Sequence, residues 1–259
     1  MDDPYNQGKI ACCNVLSDLY CMGITRVDTV LMILGVSLDM TEKERDVCTA
    51  LMIKGFNEVA KQAGTLTTGG QTVYNPWVMI GGTAMSAVSE SEIIRPNNMK
   101  SGEVLILTKP LGTQLVVNFN QWLKLKNANW QKVQSHVSEE TVLNAYNKGI
   151  EVMSTLNIHT AKLMQKYKAS AGTDVTGFGM KGHSENLAKA QKEKVDLVID
   201  TFPSLGGLHK YDKIARDFKF STGRAAETSG GILLSLAKVM GLHGLDYING
   251  IFRKKLKIS

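Results

Sequence analysis

Residues 27–37 read VDTVLMILGVS, a β-branched and nearly continuous apolar run. It is far too short to cross a bilayer, and it suits a strand covered on both faces. Helical patterns flank it. Upstream, residues 8–22 place Ala11, Cys12, Val15, Leu19 and Met22 on one face at the spacing of a buried stripe. Downstream, residues 39–64 read as helix from about Thr41. There Thr41 and Glu44 have capping-box spacing, and Gly64 supplies a stop after the last turn. A strand set between two helices, with further strands at 104–112 and 195–200 and helical patterns at 139–166 and after 179, points to an α/β or α+β protein.

The stretch TLTTGGQTVYNPWVMIGGTAMSAV (65–88) is rich in Thr, Val and Gly, and reads as strand, tight Gly turn, strand. The loop RPNNMKSGE (95–103) places a domain boundary near residue 98, giving domains 1–97 and 98–259. Beyond Ser235 the pattern has no clean connections. The N-terminus has no apolar leader, so a cytoplasmic protein is the default expectation. Cys12, Cys13, Cys21 and Cys48 show no CxxC pair and read as reduced, mostly buried thiols. The net charge of +6 is not gathered into a central stripe, and the basic run RKKLK (253–257) reads as a solvated face. Neither a nucleic-acid nor a membrane partner is expected.

Three clusters can carry chemistry. Asp18 lies at the edge of the helical stripe, with no basic residue between Ala11 and Thr25. It is either a surface aspartate bonded locally or a ligand for a hard cation such as Mg²⁺. TTGGQT (67–72) is a hairpin turn or a nest for an anion, and it lacks the lysine of a P-loop. GTDVTGFG (172–179) puts Asp174 in a Thr/Gly-rich loop before a helix, as a turn aspartate or beside a phosphate. His183, nearby, reads as a structural histidine. Two aspartates and two Gly/Thr segments, without a Ser/His/Asp or Cys/His set, favour an enzyme acting on a magnesium nucleotide.

The blocks DDPYNQGKIACCNVLSDLYCMGIT, TGGQTVYNPWVMIGG, LTKPLGTQ, TDVTGFGMKGHSENLAK and ETSGGILL resemble selenophosphate synthetase (selenide, water dikinase), especially its eukaryotic form. LTKPLG and the TD–TGFG loop are shared with wider relatives of aminoimidazole ribonucleotide synthetase. The resemblance implies synthesis of selenophosphate from selenide and ATP, releasing AMP and orthophosphate. It also implies a two-domain fold whose N-terminal domain gives strands to a dimeric β-barrel, so a homodimer. By the same resemblance Asp18 and Asp174 would hold Mg²⁺, and Gly69, Gly70, Gln71 and Thr72 would form a turn that contacts ATP, with Asp18, near a site shared with the partner subunit. The family's catalytic cysteine or selenocysteine and its lysine have no counterpart here. No nucleophile is therefore assigned, and the chain as given is expected to be inactive, shortened at its start and again after about residue 235. A non-catalytic regulatory paralogue, or another ATP-dependent superfamily member, is the alternative expectation.

Overall fold

A computed structural model describes residues 3–238 and the strand 256–258. Helix α1 (Pro4–Cys21) leads into β1 (Thr29–Ser37), α2 (Glu42–Gln62), β2 (Thr67–Asn75) and β3 (Met79–Met85). Then come β4 (Val104–Leu107), α3 (Thr113–Leu125), α4 (Ala128–Val133), α5 (Glu139–Met153), α6 (Ile158–Lys166) and β5 (Ala171–Asp174). The remaining elements are α7 (Gly179–Lys189), β6 (Leu197–Val198), α8 (Asp212–Ala215), β7 (Ile232–Leu236) and β8 (Leu256–Ile258). Among the described residues no helix is long and apolar enough to cross a membrane.

Local chemistry accounts for the helix ends. Asp3 caps α1 by accepting the Asn6 N–H at 2.9 Å, and Pro4 occupies the first helical position, where a missing N–H costs nothing. The capping box opening α2 is formed: Thr41 Oγ1 accepts the Glu44 N–H, and Glu44 accepts the Thr41 N–H at 2.8 Å. Gly64, past the end of α2, takes φ +76°, the left-handed conformation that favours glycine. The helical pattern at 139–166 is two helices, broken between Met153 and Ile158. The expected strands at 104–112 and 195–200 shorten to Val104–Leu107 and Leu197–Val198.

Two sheets result. In the first, β1 is central, parallel to β2 and antiparallel to β3. The second runs β5-β7-β4-β8-β6 with antiparallel neighbours. Helix α1 is wedged between them. Its buried face is Gly8, Cys12, Cys13, Leu16, Ser17, Tyr20 and Cys21. Of the expected stripe only Cys12 belongs to it; Ala11, Val15, Leu19 and Met22 are half-buried and pack against its flanks. The helix meets α2 on one side and the second sheet on the other, so one stripe could not describe it. Leu16, Tyr20, Val30, Phe56, Ile232 and Leu234 join one core that spans both sheets. Each such side chain contributes about 2–3 kcal/mol of burial. All four cysteines are free thiols; Cys12, Cys13 and Cys21 are buried and Cys48 is half-buried.

Two expectations for the first sheet are corrected. GGQT is not a turn. Gly69–Thr72 lie inside β2, paired with Leu31–Leu34 of β1, and the reversal falls at Pro76–Val78. Gly70 sits at φ +141°, and a Cβ there would lie 1.8 Å from the Met32 carbonyl oxygen, so close strand approach demands glycine. Nor is β1 covered on both faces. Val30, Met32, Leu34 and Val36 are buried beneath the helices, but Ile33 on the other face is 50% exposed. Its neighbours Val73, Met79 and Met85 are exposed as well.

Candidate functional site

The edge of the second sheet gathers residues from distant parts of the chain. Strand β5 ends at Asp174 opposite Ile232, and β4 ends at Leu107 opposite Leu233, so their exits flank the segment leading into β7. Helix α1 crosses this edge and presents Asn14, Ser17 and Asp18. The 226–231 segment is fixed from every side. Ser229 N–H donates to Asn14 Oδ1 at 3.0 Å, its carbonyl accepts from Lys109 Nζ at 3.0 Å, and Val175 N–H donates to the Gly231 carbonyl at 2.9 Å. A Cβ on Gly230 would stand 2.0 Å from the Val175 carbonyl oxygen, which leaves no room for a side chain.

Asp18 and Asp174 are brought together. Burial raises the Asp18 carboxyl above its ordinary range, the charge of Asp174 raises it further, and His183 partly opposes both. Asp174 is 9% exposed, and burial raises its carboxyl too, against hydrogen bonds from the Ser17 hydroxyl and its own backbone N–H. Neither carboxylate has a lysine or arginine partner among the described residues. Two neighbouring carboxylates without a counter-cation are costly unless a cation joins them. No group of three metal-ligating side chains occurs among the described residues. The pair thus fits an ion that takes few protein oxygens and completes its shell with water and phosphate, as Mg²⁺ does.

A polar chain orients Asp174. Asn157 Nδ2 donates to Ser17 Oγ at 3.2 Å and to the Gly230 carbonyl at 2.9 Å; the carbonyl can only accept, so the nitrogen faces it. With that lone pair of Ser17 occupied, its hydroxyl hydrogen goes to Asp174 instead of back-bonding along α1. On the other side, Thr176 N–H donates to His183 Nε2 at 2.9 Å, which puts the ring proton on Nδ1. Burial lowers the His183 pKa and the charge of Asp18 opposes it, and the acceptor that Nε2 offers the Thr176 amide belongs to the neutral ring.

Glu227 fastens the same segment to α3. Its carboxylate accepts from Gly112 N–H at 2.6 Å, Thr113 N–H at 2.9 Å and Thr113 Oγ1 at 2.6 Å, at the N-terminus of that helix. Burial nevertheless pushes its pKa up to about 6. A carboxyl raised in the folded state costs stability when ionised. That cost is full above the folded pKa and disappears as pH falls toward the unfolded value of 4.5. At about 1.4 kcal/mol per pKa unit, the wild type is expected to gain about 2 kcal/mol relative to Glu227→Gln between about pH 7 and pH 4.5. Urea unfolding at the two pH values measures this, and a pH-independent difference contradicts it.

Gly69, Gly70, Gln71 and Thr72 are not brought to the carboxylates within one chain. They are exposed on the edge strand β2, whereas the opposite edge strand, β3, packs on α1. Ser17, Asn14, Lys109 and Glu227 lie inside blocks that the sequence had singled out. Asn157 belongs to none, and only its contacts reveal it.

Residues 1–88 match the family model "AIR synthase related protein, N-terminal domain". Selenide, water dikinase 2 of Mus musculus is 49% identical over 238 residues, which is 92% of this chain and 52% of the mouse protein. Selenide, water dikinase of Dictyostelium discoideum is 48% identical over 239 residues, 92% of this chain and 65% of that protein. The chain thus spans roughly half to two-thirds of the length of these relatives. Among solved structures, hydrogenase maturation protein HypE in complex with ATP superposes with a TM-score of 0.71 at 12% identity, over 97% of this chain and 70% of that one, a likeness of fold. The chain is thus similar in sequence to selenide, water dikinases over most of its length, and its first 88 residues match the AIR-synthase-related N-terminal family model.

Proposed function

We propose that the protein of which this chain is part makes selenophosphate from selenide and ATP, releasing AMP and orthophosphate. The observation that carries the reading is the pairing of Asp18 with Asp174 at a sheet edge without a counter-cation. The names of its relatives, selenide, water dikinases, supply the substrate class. ATP as the nucleotide draws support from the complex of the structural neighbour. Asp18 and Asp174 would hold Mg²⁺, which neutralises phosphate charge when bound. The chain's own residues orient the site: Ser17 and Asn157 fix the Asp174 carboxylate, and His183 holds the amide of Thr176.

Gly69–Thr72 would reach nucleotide in a site completed by a second subunit, since they lie away from α1 in their own chain. The open sheet face of Leu31, Ile33, Val73, Met79 and Met85 supports a homodimer that closes this face into a barrel. Sedimentation at micromolar concentration is expected to show a dimer, and Ile33→Asp a monomer; a monomeric wild type removes the shared site. For the reaction, phosphorus NMR of the full-length protein with Mg²⁺, ATP and selenide is expected to show AMP, orthophosphate and a selenide-dependent phosphoryl product. ADP accumulating in place of AMP would falsify the assignment.

A further inference from the structure

A cavity of about 500 Å³ opens between the exit of β4, the last turn of α5 and the first turn of α6, and neither Asp18 nor Asp174 lines it. It lies within the size range of small-molecule pockets. Lys109, Thr155, Asn157, His159 and Thr160 line it, with Lys148 and Glu151, which pair with each other at 2.8 Å. Since Glu151 answers Lys148, Lys109 carries the net charge of the lining.

Lys109 is 6% exposed, and its ammonium donates to two carbonyls, Thr155 at 2.7 Å and Ser229 at 3.0 Å. No carboxylate lies within ion-pair distance of it among the described residues. A buried cation without a counter-ion is costly, and burial accordingly pushes its pKa down to about 8. An ammonium has three donors, so one remains. A second source of positive potential faces the same space. Asn157, the residue before α6, spends its side chain on Ser17 and Gly230, so the helix has no side-chain cap. The first amides of α6, which like those of any helix have no intrahelical acceptor, are thus left without a capping side chain, and His159 and Thr160 of that turn line the cavity.

We propose that this cavity binds a phosphate monoester, its phosphoryl oxygens held by Lys109, the first amides of α6 and the hydroxyl of Thr160. The cavity shares Lys109 and Asn157 with the framework around the carboxylate pair, but neither carboxylate lines it, and the proposal does not depend on the nucleotide reading.

The test is an amide NMR titration of this chain with inorganic phosphate and with AMP. EDTA is present, so that Asp18 and Asp174 carry no metal and repel anions. Saturable shifts are expected at residues 158–160. Lys109 also tethers two carbonyls, so Thr160→Glu is the decisive variant. It puts a carboxylate in the cavity at a helix position that tolerates Glu, and is expected to weaken phosphate binding at least tenfold while leaving the spectrum of a folded chain. Absent saturation, or unchanged affinity in Thr160→Glu, overturns the site. Succinate binding as tightly as phosphate overturns its assignment to phosphate.

Discussion

Asp174→Asn in the full-length protein is expected to lower magnesium-dependent ATP turnover about a thousandfold, the loss of about 4 kcal/mol of charge stabilisation. The same change is expected to raise, not lower, the melting temperature of the metal-free chain at neutral pH. Burial raises the Asp174 carboxyl above its ordinary range, so its ionised form opposes folding. That penalty is present above the folded pKa, is lost as pH falls toward the unfolded value, and is absent in an amide. Added Mg²⁺ reverses the comparison, because it stabilises only the wild type. Asp18→Asn follows the same pattern with a smaller metal-free gain, since Asp18 is less buried than Asp174. Thermal scans with and without Mg²⁺ separate the two effects. A variant that keeps both wild-type turnover and the wild-type response to Mg²⁺ removes Asp174 from the site.

How far the sequence announced this arrangement varied with the range of the forces involved. The Thr41–Glu44 box and the Gly64 stop depend on neighbours one helical turn away, and the pattern carries them in full. GGQT misleads because its order as strand comes from β1. Two glycines between threonines look like a turn until Met32 brings its carbonyl against Gly70. The exposed Ile33 face could not be read from a run that looks buried on both sides, because alternation is blurred when the second face is also apolar. Asp18 and Asp174 stood out singly as carboxylates in low-charge surroundings. Their pairing needed the strand register that sets β5 beside β7 and under α1. Asn157 has no sequence signal, since a lone asparagine before a helix is an ordinary cap, and here its side chain is turned away from that role.

The largest stability effect is expected where α1 crosses α2. A Cβ on Gly8 would lie 2.0 Å from the Met52 carbonyl oxygen, and one on Gly55 would lie 2.0 Å from the Tyr5 carbonyl oxygen. The obstacle in each case is helix backbone, which cannot rotate aside as a side chain does. Alanine would favour each helix by about 1 kcal/mol. Overpacking against backbone costs about 3 kcal/mol or more, so the clash wins. Gly8→Ala and Gly55→Ala are each expected to lose about 2 kcal/mol net, which is about 4–8 °C in melting temperature for a chain of this size. The double variant is expected to lose less than the sum, because separating the helices for one methyl makes room for the other. The separation would also break the bond from Tyr5 Oη to the Glu58 carboxylate and draw Tyr5 from between Lys9 and Lys54, 5.6 and 5.9 Å from its ring. Since α1 carries Ser17 and Asp18, the shift reaches the carboxylate pair, and the thermal gain on adding Mg²⁺ is expected to shrink in both single variants. A Gly8→Ala chain that melts like the wild type, with an unchanged Mg²⁺ response, would show that the crossing has slack and that α1 is positioned by the second sheet alone.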